Sequence, residues 1–251
     1  MTTLYLDVAE DVTPHLHDIA AAGYKGLGGY LSSINPHGAK CWTPARVMAA
    51  AAAGLRIVLV HEGYGGVGGR GISAADGERD GAFCRRFAPL LGAPKGACIY
   101  FACDQDFSAG QIQLLVLNYF RRIRNHFGDG FYRVGIYGSG AVCAAVIGAG
   151  LADLSWEAQS KGWTGFSAWR AKASMVQGPE GHYAGAAGDT DIVQGDVGDY
   201  VPDWTVSASP APAAAPAHPA AIHAHAPAPT PPAEEDNKGP LERLAHLFGI
   251  E

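Results

Sequence analysis

The residues best able to do chemistry are carboxylates that stand where strand-like runs give out. Leu4-Tyr5-Leu6-Asp7 ends on an acid, and Val58-Leu59-Val60-His61-Glu62 does the same. The run Ile99-Tyr100-Phe101-Ala102-Cys103-Asp104-Gln105-Asp106 ends on two, which share a face if the strand continues, because side chains alternate along it. Glu157 closes a later run, and Asp191 lies in the last one. Carboxylates brought together repel, which raises the pKa of at least one of them and yields the acid and base pair that glycosidic hydrolysis uses. Crowded acids also suit a divalent cation, but no resident metal and no cofactor are expected. Tyr30, Tyr100, Tyr137 and Trp156 fall at or near the same strand ends, where flat rings either stack on sugars or fill the core. The sequence contains no HExxH, no GxSxG and no cysteine with an evident histidine partner, so metalloprotease and triad chemistry have no support.

The elements that must position these residues follow from hydrophobic patterning. Strands are predicted at Thr3–Val8, Lys25–Leu31, Arg56–Glu62, Ala97–Asp104, Arg133–Tyr137, Asp153–Ala158, Ala173–Gln177 and Asp191–Gln194. Helices are expected to begin near Thr13, Thr43, Ser73, Ser108 and Gly140. Thr43-Pro44, Ser73 and Ser108 each offer a hydroxyl to the orphan N–H groups of a first turn. Eight strands in strand-then-helix order predict an α/β fold, a (β/α)₈ or TIM barrel, whose reactive groups gather at the strand C-termini. Connections in the last third are short and poor in helical signal. The competing architecture is an open doubly wound sheet, suggested by Gly66-Val67-Gly68-Gly69-Arg70-Gly71. That match lacks both a helix opening among the glycines and an acid about twenty residues on, so it reads as a flexible loop beside the mouth.

The barrel is assigned to residues 1–206, an Ala/Pro-rich flexible linker to 207–238 and a short amphipathic helix to 239–251. Between Ser207 and Glu235 lie eight of the 16 prolines, mixed with alanine and three histidines, a composition that favours an extended chain. Beyond it, Leu241, Leu244, Ala245, Leu247 and Phe248 share one helical face between Pro240 and Gly249. So short a helix needs a partner surface, either its own barrel or another protein that it docks onto. The net charge of −6 and the scattered Lys and Arg argue against a nucleic-acid partner, and no uncharged stretch is long enough for a membrane span. The odd set of five cysteines, without CxxC pairs, reads as small core residues in a reducing compartment. With Met1 running straight into a strand and no basic n-region, no signal peptide is expected, which makes the chain cytoplasmic at synthesis.

Taken together, Ile99 to Asp106, Tyr119-Phe120 and Val134-Gly135-Ile136-Tyr137-Gly138-Ser139 resemble the glycoside hydrolase-like domain DUF1906, the Rv2525c-like group related to family 25 lysozymes. Asp7, Gly23-Tyr24, Gly29-Tyr30-Leu31, Trp156, Ala158, Gln177 and Asp191 match that pattern in order, so the resemblance spans about Leu4 to Gln194. It implies a cell-wall hydrolase cutting the β-1,4 links of peptidoglycan, endolysin-like in reaching the wall after release or delivery. It also implies roles: Asp106 where those lysozymes carry their proton-donating Glu, Asp104 at the partner Asp, and Asp7 and Asp191 at the outer aspartates. Glu62, Tyr30, Tyr100, Tyr137, Trp156 and Glu157 are expected to contact substrate. Asp106 departs from the lysozyme pattern by one methylene, and the alternative is a weak or inactive glycan-binding barrel delivered to a particle or scaffold by its C-terminal helix.

Overall fold

The computed structural model describes residues 2–63 and 72–204. The Gly-rich stretch 66–71, the linker and the C-terminal helix lie outside the described residues. Eight strands close into a barrel in chain order. They are β1 (Thr3–Asp7), β2 (Gly26–Leu31), β3 (Arg56–His61), β4 (Cys98–Cys103), β5 (Arg133–Gly138), β6 (Leu154–Glu157), β7 (Met175–Tyr183) and β8 (Ala186–Val193).

Pairing from β1 through β7 is parallel, but β8 runs antiparallel to both β7 and β1. The expected (β/α)₈ arrangement is therefore corrected to a mixed α/β barrel. The reason lies in the connection: β7 and β8 are longer than predicted and are joined by Ala184 and Gly185 alone, both at positive φ, 51° and 87°. A two-residue turn of that handedness makes a hairpin and leaves no room for a crossover helix.

Side chains alternate between two apolar layers. Tyr5, Val58, Val60, Tyr100, Ala102, Trp156 and Met175 fill the barrel interior. Leu6, Leu27, Ile57, Leu59, Ile99, Phe101, Val134 and Ile136 face the helices. Two glycines make room for the interior tyrosines: a Cβ on Gly26 would lie 2.4 Å from the Tyr5 ring, and one on Gly135 would lie 2.5 Å from that of Tyr100. All five cysteines are free and buried, as expected.

The helices are α1 (Leu16–Ala21), α2 (Pro44–Ala52), α3 (Ala74–Phe87), α4 (Ala109–Gln111), α5 (Leu117–His126), α6 (Gly140–Gly148) and α7 (Phe166–Trp169). Thr43, Ser73 and Ser108 cap as expected, Ser108 through a full capping box with Gln111. A wide turn at Ile112–Val116 leads into α5. The barrel floor is closed by the segment after β8, where Val197 is buried and accepts a hydrogen bond from Tyr100 Oη at 3.1 Å. Asp199 binds Tyr5 and Arg56 from below, and Asp196 binds Arg133. Among the described residues, the opposite end, at the C-termini of β1–β6, is left open as a mouth. Among the described residues no helix is long and apolar enough to cross a membrane.

Candidate active site

A small cavity opens at that mouth, lined by Asp7, Tyr30, Val60, Glu62, Ala102, Asp104, Tyr137 and Trp156. The register accounts for this set. Tyr30 pairs with Val60, Ala102 with Tyr137 and Tyr137 with Trp156, so these inward positions meet at the top of the interior. Asp7, Glu62 and Asp104 extend the same alternation at the ends of β1, β3 and β4. Tyr137 and Trp156 meet edge to face, 5.1 Å between ring centres, and form an aromatic wall. A second, more open cleft adjoins, between the end of β1 and the β7–β8 hairpin, and Asp7 and Tyr30 border both.

Asp7 is held by a precise set of contacts. Its Oδ2 accepts from Tyr30 Oη at 3.0 Å and, at 3.5 Å, from Gln177 Nε2, while Oδ1 is buried without a hydrogen-bond partner. Burial pushes its pKa up to about 7; the Tyr30 bond opposes the rise, and the charges of Asp189 and Glu62 add to it. Beneath it, buried Asp191 accepts from Trp156 Nε1 at 3.0 Å and keeps Oδ2 bare. Burial, and then the proximity of Asp7, hold Asp191 well above the usual carboxylate range. Asp104 is raised by burial and by Glu62, against the pull of Lys40, and no described residue hydrogen-bonds its carboxylate. Glu62 forms an ion pair with Lys40, whose ammonium also sits 4.8 Å from the centre of the Tyr30 ring.

Lys40 rides on the loop after β2, and a buried network anchors that loop. Asp80 of α3 accepts from Ser33 Oγ at 2.6 Å, from Arg79 Nε at 2.9 Å and from Tyr119 Oη at 2.9 Å. His61 Nε2 accepts the Ser33 N–H at 3.0 Å, and burial lowers the His61 pKa to about 4. The neutral imidazole is thus the form that binds the loop.

Other expected site residues stand elsewhere. Asp106 does not line the mouth cavity; its carboxylate accepts from Thr164 N and Oγ1, each at 3.0 Å. Tyr100 is buried below the cavity and belongs to the barrel core. Glu157 follows the outward alternation of β6; its carboxyl is buried without a hydrogen-bond partner and burial lifts its pKa to about 7. A Cβ placed on Gly140 of α6 would come within 2.9 Å of Glu157 Oε1, which puts that carboxyl on the helix side. Sequence reasoning missed Lys40, Gln159 and Asp189. Asp189 lies opposite Asp7 in the β1–β8 register and accepts from Gln159 and Gln177, each at 3.0 Å. Among the described residues no group of three or more His, Cys, Asp or Glu is arranged to hold a metal ion.

A closed mixed barrel with acids and aromatics at one mouth defines a glycoside hydrolase-like domain. More narrowly, the chain belongs to the Rv2525c-like, glycoside hydrolase-like domain family, whose model matches residues 17–200. FadG of Bacillus subtilis (strain 168) is 27% identical over 168 residues, which make up 64% of this chain and 28% of FadG. The chain therefore spans less than a third of that relative's length. The Tat-secreted protein Rv2525c of Mycobacterium tuberculosis superposes with a TM-score of 0.67 at 22% identity, covering 78% of this chain and 98% of that one. A bacterial lysozyme from Streptomyces coelicolor superposes at 0.50 with 14% identity, covering 78% and 94%. At these identities the two structures show a shared fold.

Proposed function

We propose that the mouth binds a β-1,4-linked glycan of the peptidoglycan type and hydrolyses it, with Asp7 as proton donor and Asp104 as the opposing carboxylate. The observation that carries this reading is the convergence of Asp7, Glu62 and Asp104 from three strands on one aromatic-walled cavity. Asp7 stays protonated up to about neutral pH because it is buried, as a general acid working there requires. Asp104 has lone pairs free of other described residues, as needed to face a developing oxocarbenium charge or to activate water. Lys40 neutralises Glu62 and leaves the cavity less repulsive to an ionised Asp104. The shared fold with a lysozyme supports the substrate class, and the Tat-secreted neighbour supports action outside the cytoplasm.

The test is clearing of purified peptidoglycan by the full chain. Wild type should clear it, Asp7→Asn and Asp104→Asn should each lose roughly a hundredfold or more, and Asp106→Asn should remain active. Equal clearing by wild type and Asp7→Asn removes Asp7 from the chemistry. A second reading, glycan binding without cleavage, is favoured by one observation: Asp106, which the family resemblance sets at the lysozyme donor position, has its carboxylate engaged by Thr164. It predicts saturable binding with no new reducing ends.

A further inference from the structure

Asp106 binds both the backbone N–H and the hydroxyl of Thr164, and the Thr164 carbonyl in turn accepts the Ala141 N–H of α6 at 2.9 Å. Thr164 is thus pinned from the loop after β4 on one side and from α6 on the other. Gly165 next to it adopts φ 82°, and a Cβ there would lie 2.6 Å from Ala141 N, so the loop lies flush against the start of α6. The residue before Thr164 is Trp163. It lies on the loop that leaves the C-terminal end of β6, the end at which the mouth opens, and is half-buried. Every other tryptophan donates its indole N–H or lies in the core: Trp156 binds Asp191, Trp169 binds Ser155, Trp204 binds the Leu90 carbonyl and Trp42 is buried. Among the described residues, none hydrogen-bonds the Trp163 indole and no ring or cation packs against it. A large amphipathic ring with no hydrogen-bond, ring or cation partner among the described residues, on a loop fixed at its neighbouring residue, is pre-ordered for a flat apolar ligand face that also carries a hydrogen-bond acceptor.

From this we infer that Trp163 is a stacking platform for a sugar ring of the bound glycan, and that Asp106 is a positioning residue that holds the platform in place. The inference rests on the glycan reading of the mouth. The C–H face of a pyranose meets the indole face, and the indole N–H reaches a ring hydroxyl or the acetamido carbonyl of an N-acetylhexosamine. Asp106 touches no reacting atom in this scheme, and its shorter reach, compared with a glutamate, is spent on Thr164.

The experiment measures binding of tetra-N-acetylchitotetraose to the full chain by calorimetry, together with the indole N–H resonances. The Trp163 resonance should shift on titration, and Trp163→Ala should weaken binding roughly three- to tenfold, with Trp163→Phe restoring part of the loss. Asp106→Ala should weaken binding to a similar degree. Asp106→Asn should bind within about twofold of wild type, because its amide still accepts from the Thr164 N–H and donates to Oγ1. Unchanged affinity in Trp163→Ala overturns the platform while leaving the glycan reading standing. Equal losses in Asp106→Asn and Asp106→Ala overturn the positioning role, and absence of binding by wild type overturns both the platform and the glycan reading.

Discussion

Asp7→Asn should make the protein more stable and less active at once. Folding lifts the Asp7 pKa from 3.8 to about 7, so between those values the folded chain holds a proton that the unfolded chain has lost. In that window stability falls as pH rises, and above about pH 7 the loss is complete. At about 1.4 kcal/mol per pH unit the full penalty is about 4 kcal/mol. Asparagine copies the neutral carboxyl in shape, still accepts from Tyr30 Oη, and carries no charge to bury. Urea unfolding of wild type and variant at steps from pH 4.5 to pH 8 reads the effect directly. The two should differ by only about 1 kcal/mol at the acid end and diverge to about 4 kcal/mol in favour of Asp7→Asn at pH 8. Asp191, raised for the same reason and deepened by Asp7, contributes to wild type with the same sign. Parallel curves would refute the claim that Asp7 is a buried acid. The same carboxyl is the proposed proton donor, so the variant should lose roughly a hundredfold or more of its clearing where it is most stable, the expected trade between stability and function.

Other consequences can be checked separately. His61 should remain neutral down to about pH 4, since protonating Nε2 breaks its bond to Ser33 N; its contribution to stability, about 3 kcal/mol from a fall of 6.5 to about 4, is lost as pH drops through that interval, and a titration near pH 6.5 by nitrogen-15 NMR would contradict this. Gly135→Ala should cost ~1–3 kcal/mol or more in chemical denaturation, because its methyl would sit 2.5 Å from the Tyr100 ring, and an unchanged midpoint would mean the interior is looser than described. Lys40→Met removes the charge opposing the rise of the Asp104 pKa, so the alkaline shift of the Asp104 carboxyl signal should be measurable by carbon-13 NMR, and its absence would detach Lys40 from the site.

Much of the scaffold was legible because barrel strands carry their apolar pattern locally. The caps at Thr43, Ser73 and Ser108 depend on neighbouring residues and stood where the pattern put them, and β1, β3 and β4 each end one residue short of the expected limit. The β7–β8 hairpin was not legible: its turn is Ala184-Gly185, and an alanine at φ 51° announces no turn. Missing the hairpin hid Asp189, which faces Asp7 only because β8 runs backwards. Asp104 and Asp106 were expected to share a volume, but β4 ends at Cys103, so the alternation that would have aligned them stops short. Lys40 lies in the loop after β2, and its place beside Glu62 goes with the bridge between its neighbour Cys41 and Tyr30, which no local pattern encodes.

The most direct test of the account is mass spectrometry of the soluble fragments released from purified peptidoglycan by the full chain, after borohydride reduction. The account predicts disaccharide-peptide fragments with new reducible ends for wild type, and their loss in both Asp7→Asn and Asp104→Asn. Fragments of the same kind and amount from wild type and both variants, or no fragments from wild type, would contradict it.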